Sequence, residues 1–99
     1  MNYKPRPGVV MIRVCGVFLL VPTRAASQAC PNVRQITPGA GIIWTLFQDN
    51  EPDEAAKRFL DFQQKMSKKP IEVLRDKLER FCEGLYEGGY MVRTDEDDP

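Results

Sequence analysis

The chain has 99 residues, 42% hydrophobic and 28% charged, with fourteen basic and fourteen acidic side chains and no histidine. That is one domain of ordinary globular composition, without the basic excess that phosphate neutralisation calls for. The lack of histidine removes the commonest general base and metal ligand, and with them the Ser-His and Cys-His arrangements.

In chain order, Met1 to Gly8 holds two prolines and a glycine and reads as an extended arm. Val9–Val14 and Val17–Val21 are β-branched and aliphatic runs separated by Cys15-Gly16, a β-hairpin signature. Cysteine is a poor residue for φ > 0, so the pattern favours a type I turn with a glycine bulge over type I′. The run VFLLV is apolar on both faces, which suits a strand covered by helices on one side and by helices or a partner on the other. Arg13 and Cys15-Gly16 interrupt this region too often for the apolar core of a signal peptide, and it is far short of a membrane span.

The connection from Pro22 to Asn32 is polar, long and read as mobile. Val33–Ile36 then reads as a short edge strand. Thr37 is placed to cap a helix, Pro38 sits in its first turn, and Ala40, Ile43, Trp44 and Phe47 form one apolar stripe. A second helix is expected over Asp53–Met66, burying Ala55, Ala56, Phe59, Leu60 and Met66. A third opens at Pro70 with the stripe Ile71, Leu74, Leu78, Phe81 and Leu85 and closes at Gly88-Gly89. Tyr90-Met91-Val92 reads as an apolar return to the core, and residues 93–99 as a disordered acidic tail.

The order β-β-β-α-α-α predicts an α+β fold, a three-stranded antiparallel sheet followed by three helices, in a single domain over residues 9–92. Cys15, Cys30 and Cys82 have neither the number nor the spacing of a disulfide framework or zinc site, and read as reduced thiols in a cytoplasmic protein. No catalytic constellation, cofactor motif or metal site is visible.

The segments LLVP, QITPGAGIIW and DKLERFCEGLYEGGYMV, in this order and spacing, resemble the PqqD-like family. Its founding member is a peptide chaperone of pyrroloquinoline quinone biosynthesis, and its relatives include the RiPP recognition elements. At the strand-to-helix joint Ile36, Ala40, Ile43 and Trp44 match the family pattern, Thr37 replaces an asparagine and Gly39 replaces a threonine. Downstream, Asp76, Phe81, Leu85, Gly89 and Tyr90 match. Asp49-Asn50 stands where a glycine is usual, and the Pro22–Asn32 connection is longer than in the founding protein.

The resemblance implies a winged helix-turn-helix-like fold and a non-catalytic role. A leader peptide of a ribosomally made precursor adds as a strand to the Val33, Arg34, Gln35 and Ile36 edge, and lies beside the third helix at Leu74, Lys77, Leu78 and Phe81. It is then presented to a modifying enzyme, often a radical S-adenosylmethionine protein. Two other readings compete. One is a winged helix-turn-helix DNA-binding regulator using Lys68, Lys69, Arg75, Lys77 and Arg80, against which Glu72, Asp76, Glu79 and Glu83 interleave opposite charge. The other is a structural subunit that forms a homodimer through the same edge.

Overall fold

A computed structural model describes residues 1–24 and 26–95. The elements are β1 (Tyr3–Pro5), β2 (Val9–Val14), β3 (Val17–Pro22), β4 (Arg34–Ile36), α1 (Pro38–Asp49), α2 (Pro52–Ser67), α3 (Ile71–Glu87) and β5 (Met91–Arg93). The α+β order is the one expected: β2, β3 and β4 form an antiparallel sheet in that spatial order, and three helices follow.

The hairpin turn corrects the sequence reading. Val14 pairs with Val17 across a two-residue loop, and both Cys15 (φ 51°) and Gly16 (φ 78°) have positive φ, the requirement of a type I′ turn. The right-handed twist of the flanking strands favours that turn, and Cys15 takes the left-handed conformation to satisfy it.

One face of the sheet packs on the helices. Val9, Leu20 and Ile36 are buried there, and Met11 and Phe18 pack against α1 at Gly41. The opposite face carries Val10, Ile12 and Val14 in the exposed range, with Val17, Leu19 and Val21 as their cross-strand neighbours. VFLLV is therefore a strand with helices on one side only.

Thr37 caps α1 as expected, its Oγ1 accepting from the Ala40 N–H at 3.1 Å. Trp44 and Phe47 from that helix, Ala55 and Ala56 from α2, and Leu78, Cys82 and Leu85 from α3 fill the centre of the core. Met66, expected on the buried face of α2, is 70% exposed. It lies in the last turn before Lys68 ends the helix with φ 55°, and the chain turns towards α3 before that turn can be covered.

The N-terminal segment is tied down as well. β1 pairs antiparallel with β5 in a separate two-stranded sheet, Tyr3 opposite Arg93. Tyr3 is buried edge-on against Tyr86, and the Arg93 guanidinium lies over both rings at 5.7 and 5.1 Å. Residues 96–99 of the expected acidic tail lie outside the described residues. The Pro22–Asn32 connection, of which Ala25 is likewise outside them, is anchored through Ala26 and Cys30, both buried.

Among the described residues no helix is long and apolar enough to cross a membrane.

Candidate functional site

Strand β4 is an edge, and the hairpin settles which of its backbone groups are free. In a type I′ hairpin Val14 and Val17 are the hydrogen-bonded pair, so Val17, Leu19 and Val21 direct their N–H and C=O groups to β2. Phe18 and Leu20 then direct theirs to β4, where they face Ile36 and Arg34. Gln35, between them, points its N–H and C=O away from the sheet. It is exposed and available to an incoming strand.

The end of α3 holds β4 in place. A Schellman motif closes that helix: the Tyr90 N–H donates to the Leu85 carbonyl and the Gly89 N–H to the Tyr86 carbonyl, with Gly89 at φ 89°. The turn aims Tyr90 back at the chain entering β4. Its hydroxyl donates to the Asn32 carbonyl at 2.7 Å, and the Arg34 guanidinium lies over its ring at 5.9 Å. Burial is the main cause that pushes the Tyr90 hydroxyl and the neighbouring Cys30 thiol above their ordinary values.

Beyond β4 the chain enters a cleft of about 320 Å³ shared by the three helices. Thr37, Ala40 and Ile43 come from the start of α1, Phe59 and Gln63 from α2, and Leu74, Lys77 and Phe81 from α3, with Lys69 from the connection before it. The floor is apolar and the rim cationic. The side-chain hydrogen bond with Lys69, and after it the Lys69 charge, lower the Lys77 pKa. Two ammoniums facing one partly apolar cleft suit a carboxylate that sits between them.

The expected site residues divide among several places. Leu74, Lys77 and Phe81 line the cleft together. Leu78, one turn on from Leu74 on the same side of α3 but rotated further under the core, is 1% exposed and does not line the cleft. Ile36 is also buried, under the sheet, whereas Arg34 and Gln35 are exposed on β4. Val33, 57% exposed, precedes the strand. Sequence reasoning missed Ile43, Phe59 and Lys69 as cleft residues. Ile43 and Phe59 belong to apolar stripes that read as core, and nothing in a stripe tells its margin from its centre. Lys69 was legible only as part of a basic cluster.

Outside the cleft, Arg80 and Asp76 pair at 3.1 Å on the outer face of α3. The three cysteines are free, Cys15 exposed and Cys30 and Cys82 buried, and burial pushes the Cys82 thiol up to about 12. Among the described residues no group of His, Cys, Asp or Glu is arranged to hold a metal ion. Comparison with family models, curated proteins and solved structures finds no match to this chain.

Proposed function

We propose that the protein is a non-catalytic peptide-binding chaperone of PqqD-like type. It captures the leader segment of a ribosomally synthesised precursor and presents it, in the cytoplasm, to a modifying enzyme such as a radical S-adenosylmethionine protein. The observation that carries this reading is the junction of a free strand edge at Gln35 with the cleft that opens two residues later at Thr37. Main-chain hydrogen bonds to the edge supply affinity that does not depend on sequence, and the cleft supplies side-chain selection. Each added main-chain bond contributes about 1 kcal/mol net, so apolar burial against Ile43, Leu74 and Phe81 has to supply much of the rest. The ion pair between Arg80 and Asp76 spends one cation of α3 within the helix itself, which favours a peptide over a DNA phosphate backbone as its partner.

The test is NMR titration of isotope-labelled protein with synthetic leader peptides encoded by small open reading frames beside the gene. Amide shifts concentrated at Arg34–Thr37 and along Leu74–Phe81 are expected. Unperturbed spectra with every such peptide, together with salt-sensitive binding to duplex DNA, overturn the reading.

A further inference from the structure

The cleft does not end at the first turn of α1. A second cavity, of about 300 Å³, lies between α1 and α2 and is walled by Ile42, Leu46, Phe59 and Phe62. Phe59, Gln63 and Gly39 line both cavities, and Gly39 is the α1 residue common to the two. A β-carbon built at Gly39 meets nothing within 4 Å, so the missing side chain is not demanded by packing; it leaves bare backbone between the chambers. The chambers differ in chemistry. The first has the Lys69 and Lys77 ammoniums, whereas the second is aliphatic and aromatic apart from Arg58 and Gln63. Ile42 and Phe62 stand 59% and 55% exposed there, with Met66 nearby in sequence on the same helix as Phe62 at 70%. Large apolar groups left in water at a concave site mark a place that a ligand covers.

We propose that the two chambers form one groove, open across Gly39, and that the bound peptide runs through it to seat a large aliphatic or aromatic side chain between Ile42 and Phe62. The proposal rests on the peptide-binding reading above and narrows its substrate class. The ligand is a peptide with a carboxylate for the lysine chamber and, a few residues along, a bulky apolar side chain for the second. An extended chain advances about 3.3 Å per residue and alternates its faces, so side chains an even number of residues apart point to the same side and can enter the two adjoining chambers.

The experiment pans a displayed library of random peptides, each about twelve residues long, against the full chain. Affinities are then measured by fluorescence anisotropy for wild type, Gly39→Ala, Gly39→Trp and Ile42→Glu. The open surroundings of position 39 accept a β-carbon, and thermal melts check that both variants there fold. Ile42→Glu alters an exposed position and serves if Gly39→Trp does not fold. Peptides enriched on wild type are expected to share an acidic residue and a large apolar one at a fixed spacing. Gly39→Trp and Ile42→Glu should each weaken such a peptide about tenfold or more, while Gly39→Ala changes little. Replacing the peptide's apolar residue with serine should abolish the difference between wild type and the two blocking variants. Enriched peptides that bind all four proteins equally overturn the continuous groove and leave peptide binding standing. No enrichment on wild type overturns the peptide-binding reading itself, and this one with it.

Discussion

Gly89→Ala should be among the most damaging single-methyl changes in the chain, and the structure gives the size. Gly89 has φ 89°, where an L side chain is disfavoured by about 1–2 kcal/mol. A β-carbon there falls 2.5 Å from the Ala29 carbonyl oxygen and 3.1 Å from the Cys30 β-carbon, so backbone of the Pro22–Asn32 connection has to move. Overpacking of that kind costs a further 1–3 kcal/mol or so, for a total of about 3 kcal/mol. In a domain of this size the melting temperature then falls by roughly 10–20 °C, read by circular dichroism. Gly84→Ala is the paired control, because its β-carbon meets nothing within 4 Å inside α3 and the change should stabilise by about 0.5–1 kcal/mol. Because the Gly89 turn aims Tyr90 at Asn32 and Arg34, the surviving folded protein should also show altered β4 amide resonances. A loss below about 1 kcal/mol would refute the assignment of Gly89 as the tight joint between α3 and β4.

Three further outcomes follow from the same geometry. Gln35→Pro removes an N–H that faces away from the sheet, so the melting temperature should hardly change while affinity for a leader peptide falls about three- to tenfold by calorimetry; Arg34→Pro instead breaks the ladder to β3 and should destabilise by about 1–3 kcal/mol. Alkylation by iodoacetamide at pH 8, followed by mass spectrometry, should modify Cys15 and spare Cys30 and Cys82, with Cys82 protonated well beyond that pH; rapid modification of Cys82 in the folded state would contradict its burial. The Lys77 pKa is lowered first by its side-chain hydrogen bond with Lys69 and then by repulsion from the Lys69 charge, so the charged form of Lys77 opposes folding and that cost is relieved as pH rises through the depressed value. A carboxylate-bearing peptide should accordingly lose affinity as pH rises through the same range, and Lys69→Met should move the Lys77 titration, followed by NMR of labelled lysine side chains, back up toward the ordinary lysine value.

Local features of this fold were legible residue by residue. Thr37-Pro38 announces the start of α1 because a hydroxyl cap and a ring-locked φ act within one turn. The stripes of α1 and α3 announce helices because burial of one face imposes a period on the residues that line it. Where a choice depended on a partner distant in sequence, the chain alone did not show it. The opening segment reads as an arm because the strand it pairs with, β5, lies at the other end of the sequence. Cys15 reads against a type I′ turn because its own preference is visible and the twist of two paired strands is not.

The candidate site follows the same division. Its location, an edge strand with α3 beside it, came from the family resemblance; residue types at strand and helix spacing showed only an edge-like strand and an apolar stripe on α3. Its shape came from tertiary packing, which sent Leu78 inward, left Lys77 and Phe81 at a cleft margin, brought Ile43, Phe59 and Lys69 to the opposite walls and left Met66 uncovered. The sequence by itself determined the β2–β3 hairpin, the strand that enters α1, the three helices and most of their apolar stripes, since those depend on neighbours within a turn, whereas the pairing of β1 with β5 waited for the tertiary structure. Only the tertiary structure decided which parts of those apolar faces close into core and which stay open as a groove, because a cavity is a property of the gap between elements and no single element encodes it.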